Sequence, residues 1–155
     1  MTSFRNLFAS EEQAKQTVDA RLQDLNRRFL ENAGRLDLTA SQAPTESAET
    51  DLRKLAAEHR RSADLLRDAL IGRRASVPAG AGAVPALSGI NHWARTTEDL
   101  VALQQAHGEM LDAAADILES HPELTDLFEV LMRQTSENIT HLRGMIARAD
   151  PQAFN

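Results

Sequence analysis

Residues 93–117 carry two interleaved rows that repeat every seven positions: Trp93, Leu100, His107 and Ala114, and beside them Thr96, Leu103, Met110 and Ile117. Seven residues are close to two turns of an α-helix, so each row is a stripe along one helix face. Such a face must be covered by other helices with stripes of their own, and the rest of the chain supplies them. Val18, Leu22, Leu25, Phe29 and Leu36 recur at helical spacing, as do Leu52, Leu55, His59, Ser62, Leu66, Ala69 and Leu70. A last set runs through Leu124, Leu127, Phe128, Leu131, Thr135, Asn138, Ile139, Leu142, Met145 and Ile146. No segment makes a convincing strand. The class is all-α and the architecture a four-helix bundle, one domain over residues 1–155.

Local signals place the ends. Ser10 and Gln13 fit a capping box that would open the first helix, which should fade beyond Gly34. The second helix is expected from about Thr45 or Glu49 to Ile71, the third from near Ile90 to "ESHPEL" (119–124), and the fourth to "ADP" (149–151). Ser120 with Glu123 fits another capping box, and Pro122 suits a first turn. Between the second and third helices, "GRRASVPAGAGAVPALSG" (72–89) holds four of the seven glycines and two of the five prolines. It cannot be a helix interior. Its eighteen residues, at about 3.3 Å each, can span a helix about 40 Å long. Spacing alone leaves a long crossover and a hairpin loop both open, whereas the tight link at 119–124 makes the last two helices antiparallel neighbours.

Composition narrows the function classes. With one Trp, five Phe and no Tyr, the core is mostly aliphatic. The absence of cysteine removes disulfides, thiolate metal sites and a Cys nucleophile. A net charge of −6 argues against a nucleic-acid partner. "MTSFRNLFASEE" has no apolar signal region, and no stretch approaches the ~20 apolar residues of a membrane span. A cytoplasmic location with no membrane partner is the expectation.

The polar members of the inner stripes carry whatever chemistry there is. His59 sits near the centre of the second helix's apolar arc, His107 at the centre of the third's, Thr135 and Asn138 on the fourth's, with Gln104 close by. Unpaired, each costs about 1–3 kcal/mol. They must bond one another, water or a ligand. One reading is a hydrogen-bonded layer that fixes register; the other is a metal or cofactor site, for which imidazole in a bundle core is apt.

A di-iron centre demands more: inward Glu residues on two helices and Glu-x-x-His on the other two. That pattern is absent, since Ala56 stands three residues before His59 and Asn138 three before His141. Glu58 falls on the flank of the arc, as do Glu137 and His141; Glu109 points away, and Asn32 stands where a carboxylate would serve. Glu11 is on the inner stripe, but near the end of the bundle. A mononuclear His-based site, with Glu58 or Glu137 as an oxygen ligand, is the form that survives. No G-x-S-x-G, P-loop or H-E-x-x-H is present, and the Gly-rich linker follows a helix rather than a strand. Arg53, Arg60, Arg67 and Arg74 recur every seven residues, as do Arg21, Arg28 and Arg35, while Glu98, Asp112 and Glu119 share a row of the third helix. These read as flanking ion pairs or as a self-complementary dimer surface.

"LAAEHRRSADLLRDAL" (55–70), "GAVPALSGINHW" (82–93), "HGEMLDAAADIL" (107–118) and "RQTSENITHLRGMI" (133–146) together resemble an uncharacterised family of bacterial ferritin-like four-helix bundles, over about residues 50–148. The resemblance implies a ferritin-like bundle with a long crossover between helices two and three, and a homodimer. By position it carries over Glu58, Glu109, Glu137 and His141 as candidate metal ligands beside His59 and His107, with iron or another divalent metal as cofactor. A ferritin-like architecture is not itself evidence of iron chemistry. The expected function is a binding or stress-related accessory role around the polar core, not an established enzyme. The alternatives are an interaction module whose core histidines only fix packing, and a degenerate iron oxidase or store.

Overall fold

The computed structural model describes the backbone of residues 4–78 and 93–149, and the side chains of residues 17–78 and 98–148. Among these residues the chain forms four α-helices and no strand: α1 (Phe4–Ser41), α2 (Glu46–Gly72), α3 (Trp93–Ser120) and α4 (Thr125–Ala149). A short 3₁₀ turn, Pro122–Leu124, precedes α4. The all-α four-helix bundle is therefore as the stripes require.

The ends differ from expectation in instructive ways. α1 starts at Phe4, so Ser10 and Gln13 lie within it and open nothing. "FRNLFAS" has neither Pro nor Gly to stop the helix extending backward. At its other end α1 runs past Gly34 to Ser41, because Leu36 and Ala40 continue the buried stripe. Burying them outweighs the ~1 kcal/mol that one glycine costs a helix. Pro44 then bars further extension. Thr45 caps α2, its hydroxyl accepting from the Ala48 N–H at 3.2 Å, with Glu46 and Glu49 in the first turn. The cap expected at Ser120 does not form. Ser120 ends α3, Pro122 opens the 3₁₀ turn, and the Thr125 hydroxyl donates to the Pro122 carbonyl at the start of α4. Pro122 holds His121 out of helical geometry (φ −135°, ψ 75°), which shifts the boundary past the expected cap.

The buried residues fall into two apolar clusters, and their membership gives the direction of every helix. One cluster takes Leu22 and Phe29 from α1, Leu66 and Leu70 from α2, Ala114 and Ile117 from α3, and Phe128 from α4. The other takes Leu36 and Ala40, then Leu52 and Leu55, Leu100 and Leu103, and Leu142 and Ile146. The first cluster holds the early half of α1 and α4 but the late half of α2 and α3; the second holds the reverse. α1 and α4 therefore run one way, α2 and α3 the other, and Gly72 and Trp93 lie at opposite ends of the bundle. Residues 79–89 of the expected crossover lie outside the described residues, as do the side chains of Glu11, Trp93 and Thr96. α1 packs on α2 and α3, and α4 on α2 and α3, so α2 and α3 face each other across a diagonal with no close backbone approach. No described helix is long and apolar enough to cross a membrane.

Charge pairs line the flanks. Arg53 (3.5 Å) and Arg60 of α2 both bond Asp37 of α1, and Arg21 bonds Asp116 of α3 at 2.5 Å. Most are exposed and worth little individually. Arg73 to Asp19 at 2.6 Å is better covered.

α2 ends in a Schellman closure. The Ala75 N–H donates to the Leu70 carbonyl at 2.9 Å and the Arg74 N–H to the Ile71 carbonyl at 3.0 Å, with Arg74 left-handed at φ 57°. A side chain there costs about 1 kcal/mol or more. Arg74→Gly is expected to raise the unfolding free energy by about 0.5–1 kcal/mol after the entropy of glycine in the unfolded chain is counted. A urea titration at pH 7.5 checks it, and an unchanged or lower midpoint would count against this closure.

Candidate functional site

A polar layer lies between the two apolar clusters. It holds His59 and Ser62 from α2, His107 from α3, Thr135 and Asn138 from α4, and Asn32 from α1, all 3% exposed or less. The expectation that His59 and His107 are buried is met in full, since both are 0% exposed. Their rings come from diagonal helices and meet at the centre, centroids 4.2 Å apart and planes tilted by 57°. Phe29 covers the other side of His59, centroids 5.5 Å apart.

Each ring is held by its own helix. His59 Nδ1 lies 3.0 Å from the Leu55 carbonyl, and His107 Nδ1 lies 2.6 Å from the Leu103 carbonyl. A carbonyl only accepts, so in these bonds each Nδ1 carries the hydrogen, and the Asn138 amide nitrogen, 3.3 Å from His59 Nδ1, is then not donating to it. The neutral ring then has its lone pair on Nε2. Among the described residues neither Nε2 has a hydrogen-bond partner. Two lone pairs are thus enclosed at the centre of the bundle with no donor facing them, each at a cost of about 1–3 kcal/mol. Thr135 cannot serve as that donor, because its hydroxyl donates to the Leu131 carbonyl at 2.8 Å.

Burial keeps both rings neutral. Desolvation, with the neighbouring His107 second, lowers the pKa of His59 to about 3. Desolvation likewise lowers that of His107 to about 4. The hydrogen bonds to Leu55 and Leu103 oppose the shift without cancelling it.

Only part of the six-residue ligand set comes together. Glu58 is half-buried and accepts from Gln134 Nε2 at 2.9 Å; Gln134 in turn reaches Asn138 at 3.4 Å, whose amide lies 3.3 Å from His59 Nδ1. Glu58 thus connects to the layer member Asn138 through the one amide of Gln134 and not directly. His141 is exposed and shares with Glu58 a surface cleft between α2 and α4, lined also by Asp51, Lys54 and Arg148. Glu109 and Glu137 are exposed on the outer faces of α3 and α4. Among the described residues no three His, Asp or Glu side chains are grouped to hold a metal ion. Of His59, His107, Glu58, Glu109, Glu137 and His141, the structure brings only the two core imidazoles into contact. Helical phase explains the rest: Glu58, next to His59, is turned about 100° from it, and Glu109, two residues from His107, about 200°. The residues do not fit the iron centre that the family resemblance implies.

Three neighbours of the layer are not legible as such in the sequence. Asn26 is 2% exposed and donates to the Ala63 carbonyl at 2.8 Å. Its place between Leu22, Leu25 and Phe29 is the signal that could have found it. Met110 was counted as an apolar row member, yet its sulfur accepts from Asn32 Nδ2 at 2.8 Å. Phe29 was counted as core filling and is also the wall of the His59 ring.

The lowered pKa values couple the layer to stability with a definite sign. In the unfolded chain a histidine takes up its proton near pH 6.5; in the folded protein His59 and His107 stay neutral until about pH 3 and about pH 4. Stability is therefore full above about pH 6.5 and is lost as pH falls toward those values. The metal-free protein is expected to lose about 3 kcal/mol between pH 6.5 and 5, read as the shift in urea midpoint. A His59→Leu/His107→Leu variant should flatten most of that slope. Equal slopes for the two proteins would exclude the assigned charge state.

Comparison of the chain with protein-family models, with curated proteins and with solved structures finds no match.

Proposed function

We propose that this protein is a ferritin-like bundle whose polar core takes up a metal ion or small ligand between His59 and His107, in an accessory or stress-related role rather than as an enzyme. The carrying observation is the pair of enclosed, unpartnered Nε2 lone pairs. A donor hydrogen or a cation is what the two buried lone pairs lack. The Nδ1 bonds to Leu55 and Leu103 are of the kind that orient an imidazole for a metal and fix its tautomer. The shared direction of α2 and α3 supports the ferritin-like connection, a crossover from Gly72 to Trp93. A cytoplasmic homodimer with no nucleic-acid partner belongs to the same reading, supported by the acidic balance of the chain.

A second reading has its own support. The layer separates two apolar clusters, and its carbonyl bonds lock the rings without any ligand. On that reading the histidines set register, and partners meet an outer helix face. A degenerate iron oxidase or store has no ligand set among the described residues to support it.

Elemental analysis and titration with Fe(II), Zn(II) and copper ions, on protein purified without a histidine tag, separate these. The parent is expected to bind about one ion per chain, and a His59→Ala/His107→Ala variant to bind none. Equally negligible binding by the two proteins would remove the ion-binding form of the proposal and leave the register-setting layer.

A further inference from the structure

Resting on that reading, we infer that the polar layer is reached from solvent along the seam between α2 and α4, with the Gln134 side chain as its gate and His59 as the first ring met. His59 and His107 are both 0% exposed, so whatever comes to them must displace side chains. Which seam gives way is decided by how the helices pack. α1 with α2, and α3 with α4, are closely apposed along their lengths. Asn26 also crosses the first of these to the Ala63 carbonyl, and Asp37 pairs with Arg53 and Arg60 beside it.

The two remaining seams differ in what lies beneath them. Along α1 and α3 runs a groove of about 570 Å³, but its floor is Leu25 and Ile117 of the first apolar cluster, and Arg21 of α1 bonds Asp116 of α3 beside it. Water entering there meets hydrocarbon. α2 and α4 are the most loosely apposed neighbours. A cleft of about 320 Å³ on that seam has Glu58 and His141 toward one end and Asp51 and Arg148 toward the other, as the antiparallel run of the two helices requires. Leu55, one turn from His59, forms part of its wall.

A polar chain leads inward from this cleft. Glu58 accepts from Gln134 Nε2 at 2.9 Å, the same amide reaches Asn138 Oδ1 at 3.4 Å, and the Asn138 amide nitrogen touches His59 Nδ1 at 3.3 Å. Gln134 is half-buried, Asn138 1% exposed and His59 0% exposed, so exposure falls step by step along the chain. One amide group makes both bonds of Gln134, and its bond to Asn138 is long for N–H···O. Swinging that side chain outward breaks both at once and lets water stand between Glu58 and Asn138, with polar partners on either side. Replacing one amide by water costs little beside parting two packed helices. Among the described residues His107 joins this path only through its ring contact with His59, its own Nδ1 being turned to Leu103.

The experiment follows the hydrogens on the two Nδ1 atoms by NMR of the metal-free full chain, labelled with ¹⁵N-histidine, at pH 7.5. Each hydrogen is buried and bonded to a carbonyl, so it exchanges with water only when its ring is reached. The His59 hydrogen is expected to exchange at least tenfold faster than that of His107. Gln134→Ala should speed the His59 exchange about tenfold further, the worth of one or two hydrogen bonds, and leave His107 little changed. Gln134→Met keeps the length without the amide and should act the same way where alanine lowers the urea midpoint. Arg21→Ala, at the other seam, should change neither. Equal exchange of the two hydrogens in the parent, or their equal acceleration by the Gln134 variants, marks a general opening and overturns the route. Unchanged His59 exchange in both Gln134 variants removes the gate, and a rise with Arg21→Ala instead overturns the choice of seam. No ion takes part, so a core that binds no metal leaves this result untouched, and an ion-binding core does not rescue a failed route.

Discussion

Two imidazoles on diagonal helices, touching across the centre of the bundle, are the contact on which the arrangement turns. α2 and α3 have no close backbone approach, so the space between them is filled by side chains alone. His59 and His107 fill it with their rings 4.2 Å apart. Each ring takes its orientation from a carbonyl four residues earlier on its own helix, not from the ring it faces. Each member of the pair is therefore oriented from within its own helix. The outcome is two donors used locally and two acceptors buried without a partner among the described residues, an arrangement that mutual hydrogen bonding between the rings would have avoided.

The same contact organises the core. Apolar residues lie to either side of the layer in two separate clusters. Sliding one helix by a turn would push an imidazole among leucines and bring a leucine against Asn138 or Asn32. Both moves strand polar groups at a cost of about 1–3 kcal/mol each. An aliphatic bundle without such a layer has several registers of similar energy; this one has a mismatch penalty built into each. The flanking pairs that join Asp37 to Arg53 and Arg60 act in the same direction, although exposed pairs contribute less.

Much of this was legible because helical phase is a strong signal. The seven-residue rows place His59, His107, Thr135 and Asn138 inside, and all four are buried. Helix ends were less legible, because they depend on competition. Ser10 has the chemistry of a cap but no breaker before it, and Ser120 loses its role to Pro122. The resemblance to a ferritin-like family nominated Glu58, Glu109, Glu137 and His141 by position, whereas phase already put them on flanks or outer faces, where the structure has them. Where a positional carry-over and helical phase disagree, phase has the firmer physical basis, since it follows from 3.6 residues per turn alone. Met110 was the least legible. A methionine on an apolar row reads as filling, and only the position of Asn32 on another helix shows which way its sulfur faces.

A lock and a binding site are often treated as rival explanations of buried polar residues, but here they draw on the same atoms in different ways. The lock uses the Nδ1 side of each ring, which is bonded; a site would use the Nε2 side, which is not. A purely structural layer gains nothing from leaving the second nitrogen unsatisfied, because leucine at both positions would fill comparable space without an orphan acceptor. The Nδ1 bonds account for how the rings are held, and the register penalty is one reason for rings to be there. The unpaired Nε2 atoms are the part of the layer for which register alone does not account.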